Sequence, residues 1–155
     1  FCQSKWERLG FTALSFFTQA QLTNVLKNNV TRARPFSVGF NGGEAGPPSV
    51  DSMPSAHSAN SFFGASLSSK HLDDTTWPLI MKRSLQTALW GGAVAVGLAR
   101  IEAGMHYPTD VLAGAAIGNF VASFFYNLYA ARNPKTAENL EVGVTENQLV
   151  LKYSF

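Results

Sequence analysis

Two of the three histidines of this chain lie where one predicted helix ends or the next begins. His106 is followed four residues later by Asp110, and His57 stands at the start of a predicted helix. A neutral imidazole is a nucleophile when a partner holds its other nitrogen, and a protonated imidazole is a general acid. We therefore predict that His106 attacks, that Asp110 fixes its tautomer, and that His57 protonates the leaving group.

The basic residues near these histidines suit the transfer of a phosphoryl group. Lys27 and Arg34 lie at the end of the first predicted helix, and Arg100 precedes His106 by six residues. Arginine binds phosphate oxygens through its planar fork, and the backbone N–H groups of a helix start add further donors. The predicted phosphate site consists of Lys27, Arg34, Ser55, Ala56 and Arg100.

Taken singly, these residues have ordinary roles, such as solvated charges at helix ends. Their joint occurrence at three helix breaks favours a site. Three neighbours are expected to have other roles: Arg32 is interpreted as a solvated cation that could still reach the phosphate region, Glu102 as the partner of Arg100, and His71 as a surface residue.

The three clusters resemble the motifs of the type 2 phosphatidic acid phosphatase superfamily. That superfamily includes bacterial acid phosphatases, lipid phosphatases, glucose-6-phosphatase and the vanadium haloperoxidases. Matching positions are Lys27, Arg34 and Pro35 in the first motif; Pro54, Ser55 and His57 in the second; and Arg100, His106 and Asp110 in the third. The resemblance implies an all-α fold, a compact helical bundle, and a phosphatase that works through a phosphohistidine.

Two positions depart from the family pattern. Ala56 replaces a glycine in the second motif, and it keeps the backbone N–H that would face phosphate. Ala99 replaces a serine in the third motif and lacks the hydroxyl that holds the anion in the family. We expect weaker anion binding from the second change, and neither change removes a catalytic atom.

The predicted reaction needs no cofactor and no metal, since no other cluster of carboxylates or histidines has ligand spacing. Vanadate is expected to inhibit such a phosphatase. In an alternative interpretation the chain is a haloperoxidase with vanadate as its cofactor, and in another it is a silent anion- or lipid-binding module. The predicted partner is a phosphate-containing small molecule or lipid. The net charge of +2, without a dense basic cluster, argues against nucleic acid.

The positions of apolar residues, prolines and glycines predict four helices at residues 11–30, 55–71, 78–102 and 108–131. Residues 38–53 are predicted to form a loop. We assign residues 1–134 to a helical domain that lacks N-terminal helices of the family, and residues 135–155 to a tail. Alternation of apolar residues in that tail predicts a small hairpin with its turn at Glu146-Asn147.

Hydrophobic residues make up 46% of the chain and charged residues 14%, which raises the question of a membrane. The fourth helix has 21 uncharged residues between Asp110 and Arg132, enough to span a bilayer. Asn119, Ser123 and Asn127 form a polar stripe on it, which favours a compact bundle with buried central helices. The alternative is a truncated integral membrane protein. The expected location is periplasmic or membrane-associated, and the oligomeric state stays open.

Overall fold

The computed structural model describes residues 2–39, 44–132, 140–145 and 148–153 and contains the four predicted helices. They are α1 (Cys2–Asn29), α2 (Ala56–Asp73), α3 (Leu79–Glu102) and α4 (Pro108–Arg132), with a short 3₁₀ helix at Pro35–Val38. The all-α class is therefore confirmed. The first helix begins earlier than residue 11, because no proline or glycine pair interrupts the segment before it.

Local sequence explains where these helices begin and end. Ser55 precedes α2 and caps it, its hydroxyl accepting the N–H of Ser58 at 3.4 Å. Pro78 immediately precedes α3, and Pro108 is the first residue of α4, a position where the missing proline N–H costs nothing. Gly104 has a φ of 64° in the turn between α3 and α4, a conformation that favours glycine.

The C-terminal tail contains two strands, β1 (Leu140–Thr145) and β2 (Gln148–Tyr153). They pair antiparallel, from Leu140 opposite Tyr153 to Thr145 opposite Gln148. The pairing agrees with the predicted hairpin. Its expected turn at Glu146-Asn147 and the expected stop of α4 at Asn133-Pro134 lie outside the described residues.

The helix at the centre of the bundle is α2, which packs against α1, α3 and α4. Its closest partner is α4, where Gly114 and Gly118 leave room for the α2 backbone. A Cβ atom at Gly114 would overlap the carbonyl oxygen of the capping residue Ser55, and one at Gly118 would overlap that of Ala59 in α2. The helix that lies at the centre is therefore the polar α2, because small residues on α4 allow it to approach closely.

The interior of the bundle combines a small apolar cluster between α2 and α4 with buried polar side chains, and many large apolar side chains lie on the exterior. Fully buried side chains on α1 and α2 include Ser15, Gln19, Ser58 and Ser66. By contrast, Ile80 is 74% exposed and Phe120 66% exposed. In the described part of the chain α4 is long and apolar enough to cross a membrane. Small and polar residues inside with apolar residues outside are typical of helices that pack within a bilayer.

Candidate active site

Backbone hydrogen bonds bring the three motifs together. Phe36, just after the first motif, donates its N–H to the carbonyl oxygen of Gly104 in the third, at 2.9 Å. Ser55 of the second motif donates its N–H to the carbonyl oxygen of Asp110 at 3.0 Å. Because each bond joins a different pair of motifs, the end of α1, the start of α2 and the α3–α4 turn form one cluster.

His106 is held by a backbone carbonyl. Its ring is almost fully buried, and its Nδ1 lies 2.7 Å from the carbonyl oxygen of Ser52. A carbonyl oxygen can only accept a hydrogen bond, so Nδ1 carries the proton and Nε2 keeps its lone pair. The predicted hydrogen bond from His106 to Asp110 is therefore wrong: the loop before α2 reaches the ring nitrogen in place of the carboxylate.

Asp110 acts on His106 indirectly, through Ser52 and Tyr107. Its carboxylate is fully buried and accepts the hydroxyl of Ser52 at 2.6 Å and the N–H of Tyr107 at 2.9 Å. Its other oxygen accepts Nη1 of Arg32 at 2.6 Å. Asp110 therefore fixes Ser52, whose carbonyl holds His106, and also fixes the first residue after His106.

Arg32 is consequently part of the site, against the expectation that it is solvated. Its guanidinium forms an ion pair with Asp110 and lies 4.2 Å from the centroid of the Tyr107 ring. The same Nη1 donates to the hydroxyl of Thr109 at 2.7 Å. These contacts neutralise a buried carboxylate that would otherwise be costly to desolvate.

The two cations of the first motif meet a carboxylate that the sequence did not single out. Arg34 binds Asp51 through two parallel hydrogen bonds, from Nε at 2.9 Å and from Nη2 at 2.8 Å. Lys27 approaches the same carboxylate at 3.3 Å. The hydrogen bonds from Arg34, which contribute most, and from the Ser49 hydroxyl hold the pKa of Asp51 well below its usual range.

Arg100 contributes its charge from the end of α3. Its carbonyl oxygen accepts the N–H groups of Met105 at 3.1 Å and His106 at 3.3 Å, which closes the turn that holds the nucleophile. Its Nε is buried without a hydrogen-bond partner among the described residues, and the expected pairing with Glu102 does not form there. A buried, unpaired guanidinium N–H is a donor suited to an anion.

Both histidines lie in the field of the same three cations. Burial lowers the pKa of His106 to about 4; the hydrogen bond to Ser52 opposes this change, and Arg34, Lys27 and Arg100 add to it. Partial desolvation also lowers the pKa of the exposed His57, with further contributions from Arg100, Lys27 and Arg34. This shared field supports the predicted convergence of the two imidazoles on one site.

The start of α2 offers fewer donors than expected. Ser55 is fully buried, its N–H bonds the Asp110 carbonyl, and its hydroxyl accepts the hydroxyl of Ser58 at 3.0 Å. The N–H groups of Ala56 and His57 lie in the first turn, where helix geometry provides no acceptor. A phosphate contact by Ser55 stays a prediction, and Ala56 and His57 are the better-placed donors.

The described residues contain no group of three His, Cys, Asp or Glu side chains placed to hold a metal ion. Metal independence nevertheless stays a prediction, as does the placement of His57 opposite His106 across a phosphoryl group.

Sequence reasoning missed Asp51 and Ser52, and it considered Arg32 without assigning it to the site. Arg32 lies two residues before Arg34, so its proximity to the motif was a usable signal. Asp51 and Ser52 lie just before the second motif, in a loop whose small residues show no periodicity. The available signal for Asp51 was a carboxylate close to the second motif in a chain whose first motif supplies Lys27 and Arg34.

A helical bundle that holds a buried histidine in the field of Lys27, Arg34 and Arg100 is suited to binding a phosphate. The family model for the PAP2 superfamily matches residues 8–134. The chain therefore belongs to the PAP2 superfamily.

Two curated relatives share its sequence over most of its length. The chain is 32% identical over 130 residues to a lipid A 1-phosphatase of Rhizobium etli, covering 77% of this chain and 49% of the relative. It is 34% identical over 120 residues to a lipid A 1-phosphatase of Rhizobium johnstonii, covering 68% of this chain and 43% of the relative. The chain thus spans about half the length of these relatives or less. No solved structure matches it significantly.

Proposed function

We propose that the chain is the catalytic part of a phosphatase that hydrolyses a lipid phosphate through a covalent phosphohistidine on His106. The observation that carries this proposal is the 2.7 Å contact between Nδ1 of His106 and the carbonyl of Ser52. It leaves the Nε2 lone pair as the nucleophile, within the field of Lys27, Arg34 and Arg100.

In the first step Nε2 of His106 attacks phosphorus, and the bond between phosphorus and the leaving oxygen breaks. His57 donates its proton to that oxygen, so the product leaves as a neutral hydroxyl. Phosphorylation gives the His106 ring a positive charge. The Ser52 carbonyl oxygen accepts the hydrogen bond from Nδ1–H, which stays on the ring, and so stabilises that charge.

In the second step the neutral His57 removes a proton from water, which attacks the phosphorus atom. The bond between phosphorus and Nε2 breaks, and its electron pair returns to His106. Lys27, Arg34 and Arg100 neutralise the phosphoryl oxygens throughout, which is the main electrostatic requirement of phosphoryl transfer.

Two observations support a lipid as the substrate. The relatives named above are lipid A 1-phosphatases, and the helices of this chain expose large apolar side chains. Trp6 of α1, Ile80 of α3 and Leu112 of α4 are each at least two-thirds exposed, at 70%, 74% and 67%. We infer a membrane-associated enzyme with its site on the periplasmic side.

One set of assays tests the function. The purified protein is given p-nitrophenyl phosphate or a lipid phosphate with and without vanadate, EDTA or added Mg²⁺, and bromide peroxidation is measured in parallel. We expect phosphate release that vanadate inhibits and EDTA leaves unchanged.

Peroxidation that requires vanadate would identify a haloperoxidase, and no reaction of either kind would identify a silent binding module. Loss of turnover in EDTA, restored by a divalent metal, would contradict the metal-free step.

A further inference from the structure

We propose that Asp51 is a positioning residue that orients Arg34 and Lys27 so that their remaining N–H donors point at the phosphoryl group. This inference rests on the proposed function and adds a residue that lies outside all three motifs. Its basis is the junction of one carboxylate with both cations of the first motif.

The geometry of Arg34 shows which donors stay available. The Asp51 carboxylate accepts hydrogen bonds from Nε–H and from one N–H of Nη2, both on one edge of the guanidinium. Nη1, on the opposite edge, lies 3.5 Å from the sulfur of Met105, a weak acceptor. Met105 directly precedes His106, so the edge left free by Asp51 faces the turn that holds the nucleophile.

Asp51 is itself held in place from two sides. The N–H of Arg32 bonds the carbonyl of Val50 at 2.9 Å, and the N–H of Ser52 bonds the carbonyl of Arg32 at 3.0 Å. The hydroxyl of Ser49 donates to the Asp51 carboxylate at 2.7 Å. The backbone pairing that places Ser52 beside His106 therefore also fixes the backbone of Asp51, and the Ser49 hydroxyl orients its carboxylate.

Asp51 also connects the motifs through its neighbour. Ser52, the next residue, holds His106 through its carbonyl and Asp110 through its hydroxyl. The dipeptide Asp51–Ser52 thus aligns the phosphate-binding cations and the nucleophile from one rigid segment. A fixed relation between cations and nucleophile is what in-line transfer requires.

The competing interpretation is that the carboxylate of Asp51 occupies the place of the phosphate and must be displaced. The two interpretations predict opposite signs. A positioning carboxylate strengthens phosphate binding, because it pre-orders two long side chains whose free ends would otherwise lose entropy on binding. An obstructing carboxylate weakens phosphate binding, so its removal would tighten it.

The test compares Asp51→Asn with the matched control Glu102→Gln, which removes one negative charge from an exposed position near Arg100. Binding of inorganic phosphate is measured by calorimetry, and kcat and KM are measured with p-nitrophenyl phosphate. We expect Asp51→Asn to weaken phosphate binding and raise KM by roughly 10-fold or more, since it loses hydrogen bonds between charged groups. Glu102→Gln should stay within about 2-fold, as surface charges usually do.

Thermal unfolding checks that each variant is folded. If Asp51→Asn does not fold, Asp51→Glu is measured in the same way. The longer side chain of glutamate moves the carboxylate relative to Arg34, so we again expect weaker phosphate binding.

If the folded Asp51 variant binds phosphate as tightly as the wild type or more tightly, the proposal is overturned. The proposed function still stands in that case, provided that the wild-type protein hydrolyses phosphate esters. A wild-type protein that neither binds phosphate nor hydrolyses esters would instead refute the proposed function itself.

Discussion

His106 and His57 lie in the field of the same three cations, but their surroundings differ in burial and in bonding. His106 is 2% exposed and bound to a carbonyl oxygen, whereas His57 is exposed at the first turn of α2. A buried imidazole with a fixed tautomer keeps a lone pair for attack. An exposed imidazole exchanges protons with water. The difference in surroundings therefore accounts for a division of roles between two chemically identical side chains.

The largest effect is expected from His106→Ala. Without the nucleophile no phosphoenzyme forms, and kcat should fall by about 10⁴-fold or more. Steady-state assays with p-nitrophenyl phosphate measure this loss. Phosphate binding by calorimetry is the control that the phosphate-binding residues are still in place. A variant that keeps more than a tenth of wild-type turnover would remove His106 from its role.

A smaller and substrate-dependent effect is expected from His57→Ala. Expulsion of a poor leaving group such as an alkyl alcohol should slow by about 10²- to 10⁴-fold, because its oxygen must be protonated. p-Nitrophenol needs little protonation, so its release should be less affected. The measurement is the ratio of kcat values for the two esters. An equal loss with both would show that His57 is not the general acid.

A still smaller effect is expected from Asp110→Asn, which weakens the bonds to Arg32 and Ser52. We expect kcat to fall by about 10- to 100-fold, since the support for the Ser52 carbonyl is loosened while the nucleophile stays. Ser52→Ala is the matched control, because it removes the hydroxyl and keeps the carbonyl. A loss in Ser52→Ala as large as in Asp110→Asn would assign the effect to the hydroxyl alone.

The pH dependence of kcat/KM sharpens the comparison between the two histidines. His106 must be neutral, so activity should fall about 10-fold per unit as the pH drops below its pKa of about 4. His57 must be protonated, and its pKa lies below the ordinary 6.5, so activity should fall again as the pH rises past that pKa. The expected result is an acidic optimum, and His57→Ala should flatten the alkaline limb. A rise in activity continuing above pH 7 would contradict these assignments.

The sequence was informative where chemistry depends on residue type and spacing. All four helices were predictable, because prolines, glycines and apolar spacing act locally. The partner of His106 was not predictable, because a carbonyl oxygen is present at every residue and Ser52 is far away in the chain. The central position of α2 was not predictable either, because polar residues predict a helix at the surface. Only the structure shows that Gly114 and Gly118 of α4 pack against its backbone.

The proposed reaction depends on transfer of the phosphoryl group to Nε2 of His106. The direct measurement is a rapid acid-free quench of the enzyme during turnover of a ³²P-labelled phosphate ester, followed by peptide mass spectrometry. We expect a phosphoryl group on Nε2 of His106 that is stable to base and lost in acid. It should be absent from His106→Ala and should accumulate when water attack is slow. A phosphoryl group on an oxygen atom, or turnover with no phosphoenzyme under conditions where the second step limits the rate, would contradict it.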